Sequence, residues 1–462
     1  TGGQNAMVVD SSALAEQVVG DVLSSAFDSA GQRCSALRLL CVQEDVAERV
    51  LDMIKQAMRE WVMGNPDHMH TDIGPVIDED ARVQIEQHIA RMQSEGQTVT
   101  RMARDESAGL GHFVMPTLIE IDRIERLQRE VFGPVLHVLR YKRDDLDRVL
   151  DAINATGYGL TFGVHSRIDE TIAQVTQKVQ AGNVYVNRNV IGAVVGVQPF
   201  GGMGLSGTGP KAGGPLYLYR LLQASEAQNN PALSALVDSP ACRALVPASA
   251  ERHQAKPASL QALELLLESL QGTALVAPLG ELSHFEAVQA SAACEAYLAC
   301  TVLGRSFKLP GPTGELNRYQ LLPRGAVWAM PQTAPGLLHQ LAAVLASGNR
   351  CWLEAPAADS PVARLLNTLP GEVMRFVQLS SLDQLHGEKH LSAMLFEGDG
   401  DALQALLPTL AQHDGAIIRI ESLTPAQLAA GAHYDLSALM HEQSISTNTA
   451  AAGGNAQLMT MG

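Results

Sequence analysis

Cys34 lies in the run Phe27-Asp28-Ser29-Ala30-Gly31-Gln32-Arg33-Cys34-Ser35-Ala36-Leu37-Arg38, a small, polar, glycine-containing setting suited to a working thiolate. A cysteine thiol ionises at about pH 8.5 when unperturbed, and a neighbouring cation or helix N-terminus lowers that value. Arg33 is such a cation. The bland alternative is a cysteine packed as a small hydrophobe. Two other patterns carry less. Gly202-Met203-Gly204-Leu205-Ser206-Gly207 satisfies GxGxxG, yet it follows a Pro-Phe-Gly loop and opens no helix of a βαβ unit, so it reads as a turn and not a dinucleotide site. His68 and His70 form an HxH pair without partner ligands, so they read as loop residues and no metal is expected.

The elements that must position Cys34 follow from periodicity. Ala13, Val18, Val19, Val22, Leu23, Ala26 and Phe27 recur at helical spacing and stop at Gly31, so the cysteine follows a helix. A strand is expected over Leu37 to Val42, amphipathic helices over Val46 to Met63 and Asp80 to Gln93, and alternating α and β segments from His112 to Val149. Val184-Tyr185-Val186-Asn187 reads as a short strand opening a glycine-rich run to Pro215. Further on, a helix is expected at Leu260 to Leu270 and strands at 326–330, 350–354, 374–377 and 416–420. The sequence therefore predicts two α/β units, over residues 1–222 and 263–447, joined by an Ala-, Ser-, Asn- and Pro-rich linker over 223–262 and ending in a tail over 448–462.

Composition removes other classes. With 462 residues and 46% hydrophobic content, each unit can build a core. A formal charge of −16 argues against a nucleic-acid surface, which needs clustered Lys and Arg. No run approaches the roughly 18 apolar residues of a membrane span. The cysteines at 34, 41, 242, 294, 300 and 351 form no CxxC pair, which fits a reducing cytoplasm. Thr1 to Asp10 reads as a loop entering a strand, with no initiator Met and no signal features, so the chain reads as the interior of a longer polypeptide.

Thr1-Gly2-Gly3-Gln4-Asn5, the Cys34 segment, Glu130-Val131-Phe132-Gly133-Pro134-Val135 and Pro199-Phe200-Gly201-Gly202 together resemble, in order, the aldehyde dehydrogenase superfamily. The resemblance implies a three-layer α/β catalytic domain in which Cys34 attacks an aldehyde carbon, with its own backbone N–H among the donors to the developing oxyanion. It implies NAD as cofactor, with Glu130 holding the nicotinamide ribose hydroxyls, as a carboxylate accepting two hydrogen bonds can. Phe132 would rest against the nicotinamide. The distinctive run Gly192 to Pro215 is similar to the L-glutamate γ-semialdehyde (pyrroline-5-carboxylate) dehydrogenase branch. There Gly192 and Ala193 would anchor the substrate α-carboxylate through backbone donors. Some relatives carry serine at the Ala193 position. Phe200 would wall the aldehyde chain, and Ser35 and Arg33 flank the nucleophile at the substrate.

The resemblance also places the general base, a glutamate, directly before Thr1, with the NAD-binding part further upstream; the chain alone is then expected to be inactive. Asn317 to Glu354 is similar to the start of a nucleotide-binding domain of the same superfamily, and Ala451-Ala452-Gly453-Gly454-Asn455-Ala456 echoes Thr1 to Ala6. Thr333 stands in place of the oxyanion asparagine, Glu354 in place of a lysine that reaches the adenosine ribose, and Ala451 in place of the base. A carboxylate near a pyrophosphate repels it, so this second unit is expected to be a degenerate Rossmann-like domain. The whole resembles the C-terminal part of the long bifunctional proline utilization A family. That implies an upstream FAD-dependent proline dehydrogenase, a tail that helps close the path between sites, a homo-oligomer, and peripheral membrane association only through the upstream part. The rival readings are a dehydrogenase for another aldehyde and a non-catalytic assembly or tunnel-sealing fragment.

Overall fold

The computed structural model describes residues 2–103, 111–221, 243–244, 256–271, 282–381, 384 and 391–450. The chain divides into two compact, interleaved units. One assembles around Thr1–Gly207 together with Pro310–Asn317 and the chain from Ser444, the other around Thr208–Leu309 and Arg318–Gln443.

In the first unit, β1 (Ala6–Val9) pairs in parallel with β2 (Leu39–Gln43) on one side and with the strand Thr161–His165 on the other. The sheet continues through β2 to Val135–Tyr141 and Thr117–Ile121, and closes with the antiparallel edge strand Thr98–Arg101. In the other direction it runs through Thr161–His165 to Asn183–Val186, and then to Ser444–Thr447. Every residue of β1 and β2 is buried, as a parallel sheet covered on both faces requires. Helix α1 (Ala15–Phe27) lays Val18, Val22 and Phe27 on the core. Helix α2 (Glu44–Arg59) buries Ala47, Val50, Leu51, Ile54 and Met58, an i, i+3, i+4 stripe. Its Glu44 and Asp45 at the start and Arg59 at the end suit the helix dipole. Asp78 caps α3 (Glu79–Ser94) by accepting the Ala81 N–H at 2.8 Å, and the helix turns Ile85, His88, Ile89 and Met92 inward.

The second unit holds a five-stranded parallel sheet in the order Val377–Ser380, Arg350–Glu354, Ala326–Met330, Leu391–Glu397, Arg419–Leu423. The helix Ala334–Ala346 is buried along nearly its whole length against this sheet. Two of the expected strands begin later than the sequence suggests. Met374 ends a short helix, Gly371–Met374, started by Pro370, and the strand opens only at Val377. Ala416 to Ile418 precede the ladder, which starts where Arg419 meets Ala393. Most of the expected linker, 223–242 and 245–255, lies outside the described residues, and its end opens a helix, Ala258–Gln271. Thr1 and residues 451–462, including Ala451 and the echo of the amino-terminal block, also lie outside the described residues.

Candidate active site

Cys34 stands between α1 and β2. After Phe27 the chain turns through Ser29 (φ 57°), Ala30 (φ 53°) and Gly31 (φ 65°), three successive left-handed residues. Left-handed backbone costs L-residues about 1–2 kcal/mol each, so this turn is imposed by its surroundings. Gly31 is required twice over: a Cβ there would lie 2.3 Å from the Gly133 carbonyl oxygen. That close approach sets the cysteine loop against Glu130 to Pro134.

Asn5 ties the loop to the Gly-Gly segment. Its Nδ2 donates to the carbonyls of Cys34 at 2.7 Å and Ala36 at 2.8 Å, and its Oδ1 accepts the Thr161 N–H at 3.1 Å. The N–H groups of Arg38 and Leu39 donate to the Asn5 carbonyl. Cys34 itself is half-buried.

Glu130 reaches the same place from 127 residues away: its Oε2 accepts the Gly3 N–H at 3.1 Å. Its Oε1 meets Arg38 Nη2 at 3.4 Å, with the arginine side chain 1% and the glutamate side chain 15% exposed. Arg38 also donates to the carbonyls of Gly133 at 3.0 Å and Arg33 at 3.2 Å. Its Cζ lies 5.2 Å from the centre of the Phe132 ring. Burial pushes the guanidinium below its ordinary pKa, while Glu130 and the nearby Cys34 sulfur act in the opposite direction. Gly3, Asn5, Cys34, Arg38, Glu130 and Phe132 therefore meet at the amino-terminal ends of β1, β2 and the strand Val135–Tyr141. Open α/β sheets usually place ligands at the other, carboxyl end.

The remaining predicted residues are placed as follows. Arg33 donates from Nε to Ser29 Oγ at 3.1 Å and lowers the pKa of Asp28, which burial raises more strongly. Ser35 is buried, and its carbonyl accepts the Thr161 hydroxyl at 3.2 Å. The segment of Phe200 returns to the amino end of Asn183–Val186, where Asn183 donates to the Pro199 carbonyl and accepts the Gly201 N–H. Gly192 (φ 73°) is exposed and Ala193 half-buried. Their loop is tied to Gln198, whose Oε1 accepts the Val194 N–H at 3.0 Å and whose Nε2 donates to Glu315. Glu315 in turn pairs with Arg188. The structure thus places the Cys34 loop, Glu130 and Phe132 around Arg38, and braces the Gly192 loop on a separate network. Gly202 to Gly207 forms a turn whose Met203–Gly204 pairs with Tyr158–Gly159. His68 and His70 stack on each other, and among the described residues no group of three or more His, Cys, Asp or Glu could hold a metal.

Sequence reasoning assigned no role to Arg38, Asn5 or the histidines behind them. The His137 N–H and ring Nδ1 both meet the Arg38 carbonyl, at 2.9 and 3.1 Å. His137 Nε2 meets His88 Nε2 at 2.8 Å, and His88 Nδ1 meets Arg91 at 3.3 Å. One signal was present: Arg38 and His137 each interrupt an otherwise apolar run, Leu37-Arg38-Leu39-Leu40 and Val135-Leu136-His137-Val138.

Comparison with known proteins adds the following. Residues 1–226 match the Aldehyde dehydrogenase family. The Bifunctional protein PutA of Escherichia coli (strain K12) is 48% identical over 470 residues, covering 100% of this chain and 33% of that protein. The 1-pyrroline-5-carboxylate dehydrogenase of Geobacillus sp. (strain WCH70) is 39% identical over 225 residues, 48% of this chain and 43% of that one. The solved proline utilization A structure from Corynebacterium freiburgense superposes on 97% of this chain and 39% of its own, with a TM-score of 0.65 at 22% identity, a likeness of fold. The chain thus spans about a third of the length of the PutA relatives it matches.

Proposed function

Since residues 1–226 of this chain belong to the aldehyde dehydrogenase family, we propose that it carries the NAD-dependent oxidation of L-glutamate γ-semialdehyde to L-glutamate, the second step of proline catabolism. It would do so as part of a longer bifunctional protein whose upstream part holds an FAD-dependent proline dehydrogenase. One relative named a bifunctional protein and another named a 1-pyrroline-5-carboxylate dehydrogenase support this reading. The observation that carries it is the convergence of Cys34, Glu130 and Phe132 at the amino-terminal ends of neighbouring strands from segments far apart in sequence.

The residues present fit the nicotinamide end of NAD. Phe132 is 46% exposed and offers a ring face, and a carboxylate has about four lone-pair sites, so Glu130 keeps acceptor capacity beyond Gly3 and Arg38. Bound there, NAD would supply the hydride acceptor. This chain supplies the nucleophile and part of the oxyanion site. The Cys34 thiolate adds to the aldehyde carbon, forming a C–S bond and an oxyanion that the Cys34 N–H helps stabilise. Loss of hydride from that carbon leaves a thioester on Cys34, and attack by water breaks the C–S bond, releasing the carboxylic acid and the thiol. The Gly192–Ala193 backbone would receive the substrate α-carboxylate, with Phe200 beside the chain. Arg33 and Ser35 complete the substrate end. Assembly as a homo-oligomer, a cytoplasmic location, passage of pyrroline-5-carboxylate between sites and any membrane contact through the upstream part belong to the same proposal. No helix among the described residues is long and apolar enough to cross a membrane.

The experiment is Cys34→Ala in the complete protein, with NADH formation followed on the semialdehyde and on simple aliphatic aldehydes. We expect loss of at least about 1,000-fold on the semialdehyde, and a wild-type preference for the semialdehyde that the aliphatic aldehydes lack. Full NADH production by the variant would sink the assignment; equal use of aliphatic aldehydes would favour a dehydrogenase for another aldehyde.

For the second unit, one observation favours the non-catalytic reading. The Glu397 carboxylate, fully buried, accepts the N–H groups of Gln332 at 2.6 Å and Thr333 at 2.9 Å and the Thr333 hydroxyl at 2.6 Å. It occupies the start of the helix Ala334–Ala346, where a phosphate would otherwise dock.

A further inference from the structure

Resting on the dehydrogenase reading above, we infer that Arg38 is the positioning residue of the cofactor end of the site, fixing Glu130 and Phe132 relative to Cys34. A buried arginine is an expensive way to fill a core: removing the charge from water costs several kcal/mol, and one ion pair at 3.4 Å repays little of it. An apolar side chain of the same length would pack at least as well. What the guanidinium supplies instead is direction. Its planar fork offers donors along separate axes, and those on Nη1 and Nη2 end on different parts of the site. Nη1 holds the Gly133 carbonyl, one residue beyond Phe132. Nη2 holds the Arg33 carbonyl, one residue before Cys34, and the Glu130 carboxylate. Its Cζ lies over the Phe132 ring. A single rigid group thus measures off the nucleophile loop, the ribose-side carboxylate and the nicotinamide-side ring.

Arg38 is itself fixed from behind. A carbonyl oxygen only accepts, so the ring proton of His137 sits on Nδ1 and points at the Arg38 carbonyl; His137 Nε2 then accepts from His88 Nε2–H, and His88 Nδ1 accepts from Arg91. The donors run one way, from Arg91 through two neutral imidazoles to the Arg38 backbone. Burial, foremost, depresses His137 to about 3 and His88 to about 4, which keeps the chain neutral and its direction fixed near neutral pH.

The test uses the complete protein with Arg38→Met, Arg38→Lys, Glu130→Gln and the Arg38→Met/Glu130→Gln double variant. Folding is checked by the fluorescence of Trp61, which packs edge-on to Phe27 at 6.0 Å in the same unit. Three readouts are taken: the Kd of NADH from its own fluorescence, kcat for aldehyde oxidation, and cofactor-independent hydrolysis of p-nitrophenyl acetate by Cys34. Arg38→Met is expected to weaken NADH binding about 5-fold and to lower kcat about 30-fold or more, the scale on which a misplacement of about 1 Å acts. Ester hydrolysis should change less than about 3-fold. Arg38→Lys should recover part of the kcat, since an ammonium can meet Glu130 but cannot span both carbonyls. In the double variant the two losses should overlap instead of multiplying. Equal loss of ester hydrolysis and aldehyde oxidation, multiplicative losses in the double variant, or unchanged NADH affinity and kcat in Arg38→Lys would each overturn the inference. A wild-type protein that binds NADH and cleaves the ester but leaves the semialdehyde unoxidised would defeat the substrate reading while this inference stands.

Discussion

Each unit holds a carboxylate beside one end of its α/β sheet, and the two are held in opposite ways. Glu130 is gripped by one cation and one backbone N–H, beside an exposed aromatic ring, and part of its surface stays open. Glu397 is sealed at 0% exposure, with three donors from its own chain converging on it. A cavity of about 420 Å³ remains beside it, lined by Ala329 to Gln332, Glu354 and Phe396, but its anion-receiving corner is filled from within. The lesson is that an α/β fold by itself leaves open whether a carboxylate in it is free to receive a ligand. In one unit a carboxylate keeps part of its surface open; in the other it is taken up by donors of Gln332 and Thr333.

The strongest way to break this comparison is to exchange the expected consequences of mutation. Cys34→Ala should remove aldehyde oxidation by the complete protein about 1,000-fold or more, while Thr333→Ala, at the cap of the helix Ala334–Ala346, should leave kcat within about 2-fold. A large loss in the second variant would mean that the second unit takes part in the chemistry.

A smaller but still severe effect is expected from Gly31→Ala. The residue combines φ 65° with a Cβ position 2.3 Å from the Gly133 oxygen, so the loop must shift, at about 2–4 kcal/mol of unfolding free energy from strain and overpacking. Urea unfolding followed at Trp61 checks the stability, and the rate of Cys34 alkylation by iodoacetamide checks the loop. A variant unchanged in both would show that the left-handed turn is not required.

Next comes Glu397→Ala. Removing the internal carboxylate leaves the N–H groups of Gln332 and Thr333 without their partner, a loss of about 1–3 kcal/mol. Inorganic phosphate at millimolar concentration should then raise the unfolding temperature of the variant and leave the wild type unmoved. Phosphate protection of the wild type would show that Glu397 does not occlude the helix start.

The smallest effect is a pH slope. His137 and His88, with folded values of about 3 and 4 against an ordinary 6.5, stay neutral in the folded state while the unfolded chain takes up protons. Their contribution is therefore complete above about pH 6.5 and is eroded as pH falls from there toward 4, at about 1.4 kcal/mol per pH unit for each proton. His165, also depressed to about 4 by burial, adds to the same window. His137→Gln, which still hydrogen-bonds but does not titrate, should flatten the slope of the first unit between pH 4 and 6.5. An unaltered slope would remove His137 from the titrating set.

The sequence carried much of this. Helical spacing placed α1, α2 and α3 within a few residues, and 326–330 and 350–354 are strands at the bounds expected. Those features are local: a face buried every third or fourth residue leaves its period in the chain whatever it packs against. The delayed start at Val377 was hidden because Met374 to Phe376 is apolar enough for either state, and Pro370 decided for a helix. Cys34, Glu130 and Phe132 were legible as motifs. Arg38 was visible only as a charge out of place, and Glu397 only as the last residue of an apolar strand.

By itself, then, the sequence determined the cysteine motif, its flanking elements and the α/β alternation, because those depend on residues next to one another. The tertiary structure alone decided that Arg38 meets Glu130 across 92 residues, that Gly3 meets it across 127, and that Thr333 spends its hydroxyl on Glu397 across 64. Such pairings depend on strand order and on the close approach of two glycines, quantities to which no local period in a chain responds.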